Sequence, residues 1–207
     1  MAASRRTALS GLESNARRMS LAATASHRGS IGGAGSRAPP NPYLEDAAEY
    51  AKRIHSSSIK ERSRAIVEIG QLAYLGDDAV QAYILQEGTV DDLVAIVKGV
   101  HEPVAVKMKA IQALSLCCRK HRATQDQLRK LGYIEYLANL LSDGYEEMRK
   151  WGALSLFFLL HGNSANQAIA LTMDGLKERL FAVSNDNWEV WTYNDAEEVM
   201  KMLQLNE

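Results

Sequence analysis

The sequence predicts an all-α fold of stacked helical repeats, and three observations carry that reading. The tetrapeptide Ala113-Leu114-Ser115-Leu116 returns unchanged as Ala153-Leu154-Ser155-Leu156, 40 residues further on. Self-similarity at a fixed period of that size marks a repeat architecture. Val90, Leu93, Ile96 and Val97 are matched by Ile134, Leu137, Leu140 and Leu141, in each case four apolar residues on one helix face. Glycines at 88, 99, 132, 144 and 162 fall where such helices would end and restart. A repeat stack offers extended surface to partners and seldom houses chemistry.

Composition divides the 207-residue chain in two. Residues 1–42 carry six arginines against one acid, Glu13, for a net charge of +5, whereas residues 43–207 carry −6. A basic arm on an acidic body reads as a tail plus a domain. Residues 1–40 are rich in Ser, Ala, Gly and Arg and bury too little apolar surface to offset their ordering entropy, so they are predicted to be disordered. The body, residues 41–207, has the Leu, Ile, Val and Ala content of a helical core.

The elements follow in order. Asn41-Pro42 opens a helix, with proline at the first helical position and Glu45 and Asp46 in the first turn. Ser58-Ile59-Lys60-Glu61 is a capping-box sequence opening a second helix that runs to about Leu75 before Gly76. These two form an N-terminal cap over residues 41–76. Three helical triplets are then predicted, within 79–121, 124–162 and 165–205. Their helices fall at 79–87, 89–98 and 103–120, at 124–131, 133–141 and 145–161, and at 165–172, 174–183 and 186–204.

Three helices in 40–45 residues, with a glycine turn leading into an apolar second helix, resemble the armadillo repeat. The residues that carry the likeness are Glu87-Gly88-Thr89-Val90-Asp91-Asp92-Leu93, then Leu131-Gly132-Tyr133-Ile134-Glu135-Tyr136-Leu137, and the two Ala-Leu-Ser-Leu segments that follow. The resemblance covers roughly residues 58–205, and small armadillo-like helical domain proteins are the nearest group. It implies a short right-handed superhelical solenoid whose third helices line a concave groove.

In the nuclear-import receptors of that superfamily the groove carries tryptophans, with asparagines four residues on. Aligned on Ala-Leu-Ser, the tryptophan column falls here on Val67, Gln112 and Gly152, and the asparagine column on Gln71, Leu116 and Leu156. Neither ladder is present, so recognition of nuclear localisation peptides is not expected. Gln71, Gln112, Leu116 and Leu156 would instead line an apolar groove suited to an amphipathic helix. Core burial is the competing reading for the leucines and their usual fate. Trp151 and Trp191 sit one position early, about 100° around the helix, and read either as packing anchors or as interface hot spots.

No catalytic or cofactor signature is present. Cys117-Cys118-x-x-His121 lacks the second ligand pair a zinc site needs, and adjacent helical cysteines diverge, so they read as buried small hydrophobes. They also make a poor disulfide, which suits a reducing, cytoplasmic location. Histidines 27, 55, 101, 121 and 161 are scattered. The longest apolar stretch, Trp151 to Leu160, is far short of the roughly 20 residues of a membrane span. On the arm, Arg17-Arg18-Met19-Ser20 resembles a basophilic-kinase substrate motif with Ser20 as acceptor. The arm's composition also admits a mitochondrial transit peptide, although Gly11, Ser14 and Asn15 interrupt any amphipathic helix there. Specific nucleic-acid binding is not expected, since aromatics are absent from the arm and the body is acidic.

The expected function is therefore a non-catalytic, cofactor-free adaptor that binds a protein or peptide. Two alternatives stay open: a structural subunit of a cytoskeletal or ciliary assembly, and a mitochondrially imported form.

Overall fold

The computed structural model describes residues 41–205, apart from 77, 190 and 192. Within that span the chain is all-helical, with no strand among the described residues. The helices are α1 (Pro42–Arg53), α2 (Ile59–Leu75), α3 (Asp78–Gln86), α4 (Thr89–Lys98), α5 (Val104–Cys118), α6 (Arg122–Lys130), α7 (Tyr133–Leu140), α8 (Glu146–Leu160), α9 (Ser164–Leu171), α10 (Leu176–Ser184) and α11 (Asp195–Met202). The predicted arm, Ser20 included, lies outside the described residues.

The local chemistry explains most of these boundaries. Asn41 caps α1 by accepting the Tyr43 N–H, and Pro42 takes the first turn, where a missing donor costs nothing. Ser58 accepts the Glu61 N–H at the start of α2. The box is only half closed, because the Glu61 carboxylate accepts the Ser56 hydroxyl (2.8 Å) and the Ser58 N–H goes to Ser56 Oγ. Gly88, Gly132 and Gly175 precede α4, α7 and α10 with φ of 75°, 65° and 69°. A side chain in that left-handed geometry would cost roughly 1–2 kcal/mol, which is why the same residue recurs at each turn.

One predicted helix is shorter than expected. The described residues between 186 and 194 are not part of α11, which begins only after Asn194, whose side chain accepts the Glu197 N–H. The preceding segment is held by tertiary bonds instead. Asp186 receives the Arg149 guanidinium at 2.7 and 2.9 Å, Asn187 O accepts Lys150, and Asn194 Nδ2 donates to Ser184 O (2.7 Å). Local propensity yields here to a paired arginine on α8.

Two packing series organise the core. The long helices α2, α5 and α8 pack in chain order, and the short α11 packs on α8. The shorter ones interleave, with α3 against α1, α6 against α4 and α9 against α7. Small residues permit the close approach of long helices: Gly70 of α2 meets the backbone of Ala113, and Ser115 and Ser155 face each other at 2.6 Å in the interior. The serines of the two identical tetrapeptides thus meet in one contact. A continuous apolar cluster runs from Ala47 and Ile54 to Val199 and Leu203.

Polar ties join each helix group to the next. Arg62 reaches Glu102 (3.0 Å), Gln127 reaches Asp91 (3.0 Å), Tyr136 Oη donates to Val97 O (3.2 Å) and Arg122 donates to Gly162 O (2.8 Å). Gln125 Nε2 spans three carbonyls, those of Cys118, Phe158 and His161. The bonds to carbonyls satisfy backbone groups near helix ends that stacking would otherwise leave without partners.

Candidate functional site

The expected groove column does not line a groove. Leu156 is 0% exposed and Leu116 7%, and Gln71 is buried as well. The reason is geometric. Gly152, one helical turn before Leu156, points at Leu140 of α7, so that stripe of α8 faces the interior. Leu116 lies against Gly70, between α5 and α2. Gln71 keeps its Oε1 buried without a hydrogen-bond partner among the described residues. Of the four column residues only Gln112 retains partial exposure. The leucines are core.

Trp151 and Trp191 fare differently. Both remain partly exposed, and they meet edge-on with centroids 5.0 Å apart and planes at 69°. Trp188, which sequence reasoning passed over, completes the group at 5.6 Å from Trp191. Its indole N–H is committed to Val183 O (2.9 Å), which fixes the ring. Lys150 lies beneath, buried, with Nζ 2.5 Å from Glu146 Oε1 and 5.8 Å from the Trp188 centroid, and donating to Asn187 O. The lysine thus anchors the segment that carries Trp188 and Trp191. The missed signal was Trp188-x-x-Trp191 itself, hidden by assigning the stretch to a helix.

A second aromatic column runs across the C-terminal ends of the long helices. The Arg119 guanidinium sits 5.0 Å from the Tyr74 ring and 5.6 Å from Phe158. Phe157 packs on Phe158 and on His161 at 5.6 and 5.4 Å. Tyr74, Arg119, Phe157 and Phe158 are all partly exposed. Half-buried, pre-oriented aromatics with an arginine among them have the make-up of a binding surface, because they offer large contact area at little entropic cost.

The cysteines and His121 among the described residues are buried or paired. Cys117 and Cys118 are buried in the core; burial pushes the Cys117 thiol up to about 12 and the Cys118 thiol higher still. Such thiols stay protonated and unreactive. His121 Nδ1 pairs with Thr124 Oγ1 at 2.7 Å, and burial lowers its pKa. Among the described residues no three His, Cys, Asp or Glu side chains converge on a metal position. No helix among them is long and apolar enough to cross a membrane.

No protein-family model and no curated protein matches this sequence. Among solved structures, an engineered protein determined by the Northeast Structural Genomics Consortium is similar, with a TM-score of 0.66 over 77% of this chain at 19% identity. The chain spans 62% of the length of that engineered protein. At such identity the likeness is one of fold alone.

Proposed function

We propose that this chain is a non-catalytic adaptor built from armadillo-type units, which binds a protein segment along the surface of its long helices. The observation that carries the reading is the gathering of Trp151, Trp188 and Trp191 into one half-exposed cluster. Trp151 comes from α8 and the other two from the segment before α11. Tryptophans left partly open, fixed by a committed indole N–H and a buried lysine, form a rigid platform, and tryptophan is the side chain most enriched at interface hot spots. The packing order of α2, α5, α8 and α11, with the glycine turn before each middle helix, supports the armadillo-type arrangement. The two unpaired buried cysteines suit a reducing compartment such as the cytoplasm.

Proximity labelling with the full chain, compared with Trp151→Ala and Trp191→Ala, tests the reading. Partners enriched by the native chain are expected to be lost from both variants while helicity is retained. An interaction profile unchanged by both substitutions would remove the tryptophan platform as the binding surface.

A further inference from the structure

Five arginines among the described residues are half-buried, and four of them are held by an oxygen. Arg62 meets Glu102 at 3.0 Å, Arg129 meets Asp126 at 2.5 Å, Arg149 meets Asp186 at 2.7 Å, and Arg179 donates to the carbonyl of Asp174 at 3.0 Å. Arg119 is the exception. It stands at the end of α5 with the Tyr74 ring of α2 on one side and the Phe158 ring of α8 on the other. Among the described residues its guanidinium makes no hydrogen bond and no ion pair. The rings steady the cation but accept none of its N–H groups, so a rigid, half-desolvated fork of donors is left open.

A second unpartnered group lies beside it. Gln71 precedes Tyr74 by one turn on the same face of α2. It is 3% exposed, makes no hydrogen bond among the described residues, and keeps its Oε1 enclosed. A buried amide without partners weakens the fold, and leucine there would not, so its presence calls for a ligand that supplies the missing bonds. The local charge points the same way. α5 and the two residues after it hold Lys107, Lys109, Arg119 and Lys120 and no acid, on a body whose net charge is −6. None of these four cations is in an ion pair among the described residues.

We propose that Arg119 is the subsite for the carboxylate of a Glu or Asp in an extended partner segment crossing α2, α5 and α8, with the Gln71 amide bonding that segment's backbone. One planar fork matches one carboxylate through two parallel hydrogen bonds, whereas phosphate is read by clustered arginines. In an extended segment the side chains on one face recur every second residue, about 6.6–7 Å apart. The Tyr74 and Phe158 centroids lie 5.0 and 5.6 Å from the Arg119 guanidinium carbon, on the helices that flank α5. Apolar residues two before and two after the partner's acid therefore fall on the two rings. The recognised pattern is apolar-x-acid-x-apolar. The inference rests on the long helices being the binding surface, but not on the tryptophan cluster.

A random twelve-residue peptide library is panned against the immobilised full chain, and enriched peptides are labelled with fluorescein and titrated by fluorescence anisotropy. Enrichment of the apolar-x-acid-x-apolar pattern is expected. Arg119→Gln should weaken these peptides at least about tenfold, changing the peptide acid to its amide should do the same, and both together should cost no more than either alone. Arg119 is half-exposed at a helix end, so this variant keeps native circular dichroism. Gln71→Leu is expected to raise Tm and yet weaken the same peptides several-fold, a combination that a purely structural glutamine does not produce. Trp151→Ala separates the two readings. Peptides lost from that variant but indifferent to Arg119→Gln overturn the carboxylate subsite and leave the tryptophan platform standing; loss with Arg119→Gln alone supports the subsite and counts against the platform. The proposal is also overturned if no peptide enriches or if enriched peptides lack an acid. It is equally overturned if phosphoserine in place of the acid binds at least about tenfold tighter, since a phosphate would then be the ligand.

Discussion

The serine pair at the centre of the repeat gives the sharpest test of how α5 and α8 are joined. Ser115 Oγ donates to Ile111 O at 2.8 Å and, with that proton committed, accepts from Ser155 Oγ at 2.6 Å. Both hydroxyls are buried. Ser115→Ala strips Ser155 of its partner across the interface, and a stranded buried hydroxyl costs about 1–3 kcal/mol. Ser155→Ala leaves Ser115 still bonded to Ile111 O, so its cost is nearer that of one net hydrogen bond, about 0.5–1.5 kcal/mol. Replacing both with alanine leaves nothing stranded. The double variant should therefore be more stable than Ser115→Ala alone, with a coupling of about 1 kcal/mol or more. Urea unfolding by circular dichroism measures this directly, and in a chain of this size each kcal/mol moves Tm by about 2–4 °C. If the two substitutions add to within about 0.3–0.5 kcal/mol, the serines do not meet and the inferred contact between α5 and α8 is wrong.

Two further outcomes follow from the same packing. A Cβ at Gly70 would lie 2.8 Å from Ala113 Cα and 3.1 Å from Ala113 Cβ, with backbone that cannot rotate away. Gly70→Val should thus destabilise by about 1–3 kcal/mol, whereas Gly144→Ala, with nothing within 4 Å, should be neutral in the same melts; equal Tm values for the two would contradict the close approach of α2 and α5. Glu68 is held above its ordinary 4.5 by burial, opposed by Arg64 at 3.9 Å and reinforced by Asp46, and its Oε2 lacks a partner among the described residues. A raised folded-state pKa favours the fold at low pH, and that stability is lost as pH rises through the folded value. Glu68→Gln should therefore raise Tm at pH 7 and remove the loss of stability that Glu68 causes as pH rises above its ordinary 4.5; a lower Tm at pH 7 would show that the Arg64 pair outweighs burial.

The helices were legible because their signals are local. Glycine turns, Asn41-Pro42, the Ser58 cap and the 40-residue return of Ala-Leu-Ser-Leu all act within a few residues or by simple recurrence. The site was much less so. Aligning Leu116 and Leu156 on a groove column assumed that a repeat position points the same way in every stack, yet facing depends on which neighbour lies across it. Gly152 opposite Leu140 turns that stripe inward. Residues 186–194 misled for a related reason, since the apolar spacing of a helix is present but the arginine and lysine of α8 hold the segment away from it.

The sequence by itself determined the glycine turns, the caps and the 40-residue return of Ala-Leu-Ser-Leu, because those follow from short-range geometry and periodicity. Only the tertiary structure decided which equivalent side chains are covered. Burial belongs to the neighbour that arrives: Leu116 is closed against Gly70 of α2, while Trp151 of α8 stays partly open.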